Sequence, residues 1–165
     1  MKKYDVLIIG AGHAGVEAAI ASDRIGAKTA LISFKKSDLG VMSCNPAMGG
    51  LGKGHLIREI DAMGGVIGLA SDHSGIQFRM LNRTRGEAVQ GPRAQIDRDL
   101  YKENIQRIVR NSGVELVEGE VRDIITERKS GNESIIGVET CSLGKLYCKK
   151  LVVTTGTFLS VSYTH

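Results

Sequence analysis

The 165-residue sequence contains no tryptophan, and aromatic residues make up only 4% of it. Proteins that bind single-stranded nucleic acid by base stacking normally present more aromatic side chains, so this scarcity disfavours a stacking platform. Long apolar runs are also missing, and no segment approaches the ~20 residues of a membrane span. The 21 glycines are interleaved with apolar segments. That arrangement is typical of ligand-binding loops in a globular protein, and not of a collagen-like or disordered chain.

Cysteine is scarce, with three residues at Cys44, Cys141 and Cys148. The number is odd and the spacing matches neither a metal motif nor a disulfide framework. A reducing, cytoplasmic setting is therefore expected. The apolar run before Gly10 spans only about five residues, which is too short for a signal peptide.

The charge is mildly basic, with a net value of +4. A basic excess indicates either a phosphate-rich partner or an ordinary solvated surface, and both interpretations stay open. Five arginines fall within twenty residues and are the candidates for such a partner. They are Arg79, Arg83, Arg85, Arg93 and Arg98.

The first 33 residues have the pattern of one βαβ unit. Residues 4–9 form a short apolar run typical of a buried parallel strand. A helix is predicted over 14–25, ending before Gly26, and a second strand over 28–33. Between the first strand and the helix lies the motif G-x-G-x-x-G, at Gly10, Gly12 and Gly15.

This motif, in this context, predicts dinucleotide binding. Gly10 permits a tight turn, Gly12 allows backbone to approach a pyrophosphate, and Gly15 lets the helix pack on the strand. The alternative is a glycine turn that packs the strand on the helix without any ligand. One feature departs from the usual pattern, because Ser33 stands where an acid normally holds the ribose.

The rest of the chain completes an α/β pattern with a parallel central sheet. Helices are predicted over 55–63 and 93–111, and a short segment of uncertain type over 77–82. Strands are predicted over 114–117, 121–127, 134–140 and 145–148, of which the last three read as an antiparallel meander. A separate buried strand is expected over 151–155. The meander and the following Thr-Gly turn favour FAD over NAD.

The segment Gly40–His55 reads GVMSCNPAMGGLGKGH and is the least regular part of the sequence. Its five glycines and Pro46 predict an irregular loop in place of a helix or strand. Cys44 lies in this loop, with Lys53 and His55 as candidate neighbours. A small buried thiol is the alternative reading of Cys44.

Several motifs together resemble the amino-terminal part of the MnmG (GidA) family. They are GAGHAG, MSCNPAMGGLGKGH, EIDAMGG, GIQFRMLN and GPRAQIDRDLY, and the resemblance runs from Tyr4 through Leu159. This family consists of FAD-dependent tRNA uridine 5-carboxymethylaminomethyl modification enzymes. The resemblance implies a Rossmann-like FAD-binding domain of the two-dinucleotide-binding flavoprotein type.

The same resemblance implies particular site residues. Val121 would meet the adenine side of FAD, and Thr155 and Gly156 would lie near the flavin. Cys44 is the candidate catalytic residue, since a thiolate can add to a uridine ring when its pKa is lowered. The residues implied for the FAD pyrophosphate are Gly10, Ala11, Gly12, His13, Ala14 and Gly15.

Partners and co-substrates also follow from the resemblance. It implies tRNA as substrate, a MnmE-type GTPase as partner and a homodimeric full-length enzyme that is not membrane-bound. NADH and methylene-tetrahydrofolate belong to the reaction implied for the full-length family enzyme, which adds an aminomethyl-type group at the 5-position of the wobble uridine.

The resemblance leads us to expect an incomplete family domain over residues 1–159 and a tail, 160–165, outside the family pattern. Such a fragment is expected to bind FAD weakly or not at all and not to modify tRNA. Two alternatives remain open. One is an inactive, truncated nucleotide-binding fragment. The other is a generic FAD-dependent oxidoreductase or a relative of the folate-dependent tRNA methyltransferases.

Overall fold

A computed structural model describes residues 2–43, 45–129 and 131–156, with only the backbone of Lys129. These residues form two compact units. The first unit comprises the described residues of Met1–Leu39 and Ser112–His165, and the second comprises those of Gly40–Asn111. No helix within the described residues has both the length and the apolar character needed to cross a membrane.

The described chain contains four α-helices and nine strands, besides two short 3-10 helices. The helices are α1 (His13–Arg24), α2 (Lys53–Ala62), α3 (Ile67–Ser74) and α4 (Arg98–Arg110). The strands are β1 (Lys3–Ile9), β2 (Thr29–Ser33), β3 (Ala47–Gly49), β4 (Gly75–Leu81), β5 (Gly91–Ile96), β6 (Glu115–Glu118), β7 (Val121–Lys129), β8 (Asn132–Thr140) and β9 (Gly144–Val153).

The first unit is built on a six-stranded sheet with the order β6-β2-β1-β9-β8-β7. Strands β6, β2, β1 and β9 are parallel, whereas β7 and β8 pair antiparallel. All five residues of β2 are buried, as expected for an apolar strand covered on both faces. The predicted α/β class, with a parallel sheet and an antiparallel meander, is confirmed.

Strand β9 is both the last strand of the meander and a strand of the parallel sheet. The sequence pattern had predicted two separate strands here, over 145–148 and 151–155. Strand β9 pairs with β8 through residues 144–147 and with β1 through residues 147–153. Lys149 and Lys150 interrupt the apolar pattern and suggested a break. Both are exposed, and Lys149 Nζ lies 2.7 Å from Asp5 Oδ1, so the lysines face solvent while the backbone continues to pair.

One core cluster of the first unit contains residues of both the parallel strands and the meander. Alternate residues of β1 and β2, including Leu7 and Ile32, pack in one cluster with Val138 and Leu146 of the meander. The intervening residues Ile8 and Leu31 point to the opposite face, where α1 contacts the sheet. Because both faces are covered, the carboxyl ends of the parallel strands are left as the open edge.

The second unit contains a three-stranded antiparallel sheet with the order β3-β5-β4. Strand β3 lies inside the segment that was predicted to be entirely irregular. Gly49 explains why a glycine-rich segment can pair here, because a Cβ at this position would overlap the Pro92 carbonyl oxygen. The segment of uncertain type, 77–82, lies mostly within β4. Helix α3 was not predicted.

The predicted helix over 93–111 starts later, at Arg98, because residues 91–96 form β5. Asp97 sets this boundary. Its carboxylate accepts hydrogen bonds from the backbone N–H groups of Asp99 and Leu100, at 2.9 and 3.0 Å. Ile96, which lies within the predicted helix, is instead a buried strand residue. The buried face of α4 consists of Tyr101, Ile105 and Val109.

Candidate functional site

The glycine turn, residues 10–15, lies at the open edge of the parallel sheet, between β1 and α1. The N–H of Gly10 donates to the Ile32 carbonyl oxygen at 2.9 Å, which ties the turn to β2. Gly10 has a φ of 103°, a left-handed conformation that favours glycine. The chain can therefore leave β1 and enter α1 within three residues.

Gly15 allows the helix to pack directly on this turn. A Cβ at Gly15 would overlap the carbonyl oxygen of Gly10 and lie 2.8 Å from Thr154 Oγ1. The predicted role of Gly15 in close helix–strand packing is thus explained by two specific neighbours. The first of them belongs to the turn itself, and the second lies at the end of β9.

Gly12 stands at the start of α1 and faces open space. It is the N-cap residue, no side chain caps the helix, and a Cβ at this position would meet no atom within 4 Å. The N–H of Val16 donates to the Gly12 carbonyl at 3.0 Å, which is the first i to i−4 bond of the helix. The N–H groups of the first turn have no intrahelical acceptor and carry partial positive charge, so this end of α1 suits an anion.

Thr154 follows β9 and supports the turn, although it was not among the predicted site residues. Its N–H donates to the Ile9 carbonyl at 2.8 Å, and its hydroxyl lies 2.8 Å from the same oxygen and 3.1 Å from the Gly10 carbonyl oxygen. The adjacent Thr155 and Gly156, which were predicted as site residues, are both exposed beyond the end of β9. Only the β1–β9 register reveals that the preceding threonine contacts the turn.

The end of β2 is completed by residues from the β6–β7 connection. The Ser33 carbonyl accepts a hydrogen bond from Gly119 N–H at 2.8 Å, and the Glu118 carboxylate accepts one from Lys36 N–H at 2.9 Å. Val121 follows two residues after Gly119 and packs against the core cluster. A carboxylate therefore lies beside the end of β2 although β2 itself carries none, and sequence reasoning did not identify it.

The predicted reactive loop belongs to the second unit, and Cys44 itself lies outside the described residues. Lys53 Nζ donates to the Ala47 carbonyl at 3.1 Å. His55 Nδ1 accepts a hydrogen bond from Gly52 N–H at 3.2 Å, at the start of α2. His55 thus makes a capping contact at the start of α2.

The perturbed titratable groups lie at the other end of the parallel strands. Burial, followed by a hydrogen bond to Glu115, raises the pKa of the Tyr4 hydroxyl. The ammonium of Lys2 is the main cause that lowers the pKa of Glu115. A cavity of about 380 Å³ there is lined in part by Tyr4, Lys28 and Cys148.

Cys148 is buried, and burial raises the pKa of its thiol, as expected of a structural cysteine. Cys141 is exposed in a turn. The glycine turn, by contrast, offers backbone donors and small residues. Donors of this kind suit an anion such as a phosphate group.

Two solved structures share this fold, one at high and one at low sequence identity. The structure of Aquifex aeolicus GidA in its form II crystal is 47% identical, with a TM-score of 0.87 over 95% of this chain and 26% of that one. The GidA-related protein from Thermus thermophilus is 17% identical, with a TM-score of 0.58 over 94% of this chain and 54% of that one. The second likeness supports the Rossmann-like fold alone.

Curated relatives carry the name tRNA uridine 5-carboxymethylaminomethyl modification enzyme MnmG. The one from Aliarcobacter butzleri is 50% identical over 157 residues, which are 94% of this chain and 25% of the relative. The one from a Nitratiruptor species is also 50% identical over 157 residues, 95% of this chain and 25% of the relative. The chain thus spans about a quarter of the length of these relatives.

The family described as glucose inhibited division protein A matches residues 5–165, which is nearly the whole sequence. This match includes the glycine turn, the Gly40–His55 segment and the meander. The chain belongs to the GidA family.

Proposed function

We propose that the glycine turn binds the pyrophosphate of FAD, and that the chain is the FAD-binding part of a tRNA uridine 5-carboxymethylaminomethyl modification enzyme. The observation that carries the proposal is the uncapped start of α1 at Gly12, which opens to free space beside the end of β1. The name shared by the curated relatives supports the choice of reaction.

The neighbouring residues supply the other contacts of this proposal. Val121 meets the adenine side of FAD, and Thr155 and Gly156 lie beside the flavin. Glu118 takes the place of the acid missing from β2, since one carboxylate oxygen accepts from Lys36 and the second oxygen can accept from a ribose hydroxyl. His13 and the rest of residues 10–15 surround the pyrophosphate.

When bound, FAD supplies the electron transfer that the modification needs. This chain binds and orients it through the donors of the first turn of α1. Cys44 is proposed as the nucleophile toward the uridine ring. The complete reaction includes NADH, methylene-tetrahydrofolate, tRNA and a MnmE-type GTPase, and it takes place in a cytoplasmic homodimer.

A flavin titration of the chain tests the binding proposal. Gly12→Ala places a methyl group in the pyrophosphate space and should weaken FAD binding about tenfold or more while the chain still folds. Gly86→Ala is the matched control, because Gly86 also has a negative φ and open space around its Cβ. Equal FAD affinity in the two variants would refute the proposed site.

A chimera tests the reaction. The matched segment of the Aliarcobacter butzleri relative is replaced by this chain, and modified wobble uridine is measured by mass spectrometry. Modification is expected, and Cys44→Ser should abolish it while flavin binding is retained. If the chimera binds FAD without modifying tRNA, the alternative of a catalytically inactive nucleotide-binding fragment is favoured.

A further inference from the structure

The hairpin formed by β4, its connection and β5, here called the arginine hairpin (residues 75–96), carries most of the net charge of the chain. It contains four arginines and a single acid, Glu87, which gives it a charge of +3. The whole sequence has a net charge of +4, so the other residues contribute only +1. The basic character noted in the sequence is therefore concentrated in one element.

Two of these arginines stand directly opposite each other. The register of the β4–β5 pair places Arg79 against Arg93, with Gln77 against Gln95 beside them. These four side chains share one face of the sheet, because strand residues two apart point the same way. Like charges in opposite positions repel each other and destabilise a sheet. An anion bound between the two guanidinium groups would reduce this repulsion.

The other two arginines extend the charge to the tip of the hairpin. The connection is held by hydrogen bonds from Gln90 Nε2 to the Arg85 carbonyl at 2.9 Å and from Asn82 Nδ2 to the Val89 carbonyl at 2.8 Å. The side chains of Arg83 and Arg85 remain exposed. The backbone that carries these two guanidinium groups is thus fixed before any ligand binds.

No carboxylate in the described part of the chain forms an ion pair with Arg79, Arg83, Arg85 or Arg93. Two ion pairs in other elements are Lys2–Glu115 and Lys149–Asp5. Because surface ion pairs form readily wherever acids are near, four adjacent unpaired guanidinium groups indicate a surface that accepts anions from outside the chain.

We propose that the arginine hairpin contacts the phosphate backbone of the RNA substrate, an inference that rests on the proposed function. Arg79 and Arg93 lie on the paired strands, whereas Arg83 and Arg85 lie in the connection, so the charge is spread along the hairpin and suits successive phosphates of a strand. The planar guanidinium group pairs with phosphate oxygens through two parallel hydrogen bonds. The scarcity of aromatic residues in the sequence agrees with backbone contact in place of base stacking.

The test is the salt dependence of binding between the 165-residue chain and a fluorescently labelled tRNA transcript. Replacing Arg79, Arg83 and Arg85 by Gln should weaken binding and reduce the slope of log K against log salt by about 2 to 3, since each phosphate contact contributes ~0.7–0.9. The matched control replaces Arg122, Arg128 and Lys145 by Gln. It removes the same charge from exposed positions of the first unit and should leave most of the slope intact.

A second variant separates charge from folding. Replacing the same three arginines by Lys should preserve the slope, because lysine keeps the charge that each phosphate contact requires. Equal losses in the hairpin and control variants would overturn the proposal, as would failure of the unmodified chain to bind RNA at low salt. Arginine variants that change only self-association, measured by sedimentation, would overturn it in favour of a protein contact. FAD binding is titrated separately, so a failure of the proposed function can be distinguished from a failure of the proposed RNA contact.

Discussion

At the scale of single residues, the three motif glycines have different tasks. Gly10 supplies a backbone conformation, Gly15 supplies room for the turn, and Gly12 has no neighbour that needs its small size. Of the three, only Gly12 is thus left without a structural explanation within the described chain. This difference separates residues needed for folding from the one that suits a ligand.

Gly15→Ala is expected to destabilise the chain, because the added methyl group overlaps the Gly10 carbonyl oxygen. Overpacking of this kind typically costs about 1–3 kcal/mol. Urea unfolding should show a lower midpoint than for Gly12→Ala, which adds the same methyl group in open space. Equal midpoints for the two variants would contradict the packing role of Gly15.

Thr154→Val is expected to lower the free energy of unfolding by about 1 kcal/mol, because it removes the hydroxyl that contacts the Ile9 and Gly10 carbonyls. Thr154→Ser keeps that hydroxyl and serves as the control. Chemical denaturation of both variants measures the effect. If serine loses as much stability as valine, the hydroxyl is not the source of the stabilisation.

Glu115 should make stability depend on acidic pH. Its pKa is lowered in the folded chain, first by the hydrogen bond from Lys2, so it stabilises the fold above its unfolded pKa of about 4.3. This contribution is lost as the pH falls through the lower, folded pKa. Thermal midpoints measured from pH 6 to pH 3 should fall less in Glu115→Gln than in the unmodified chain. Glu59→Gln, at an exposed position, should behave like the unmodified chain.

At the scale of elements, two boundaries were wrong for the same reason. Strand β9 continues through two lysines, and β5 occupies residues that fit a helical stripe. In both cases hydrogen bonds to a strand distant in sequence decided the conformation. A local pattern cannot report such partners, because a short segment with few apolar residues fits more than one structure.

Leu146→Ala tests the packing of the meander on the parallel strands. Leu146 is 4% exposed in the core cluster, and truncation of a buried leucine costs about 2–5 kcal/mol. Leu143→Ala, at a position 52% exposed, should change stability by less than about 0.5 kcal/mol. Comparable losses in denaturant unfolding would show that the meander does not contribute to this core.

At the scale of the whole molecule, the proposed cofactor site and the arginine hairpin lie in different compact units. Each can therefore be tested through its own ligand. Flavin should stabilise the chain through the first unit, and RNA should bind through the second. Substitutions in one unit should therefore leave the affinity for the other unit's ligand unchanged.

FAD is expected to raise the thermal midpoint of the chain, because a ligand that binds only the folded state stabilises it. At a concentration about 100 times Kd the gain is about 2.7 kcal/mol. Differential scanning fluorimetry with and without FAD measures the shift, and Gly12→Ala should reduce it. A shift of equal size with riboflavin, which lacks the pyrophosphate, would argue against recognition at the glycine turn.

The sequence alone determined the βαβ unit, the glycine turn and the family, since these depend on residues that are adjacent in the chain. Tertiary structure decided the remainder. Thr154 contacts Ile9 across 145 positions, and Glu118 contacts Lys36 across 82. Sheet registers that join such distant segments arise from backbone pairing and core packing, so no local pattern encodes them. The supporting threonine and the substitute carboxylate thus emerged only once the strands were placed side by side.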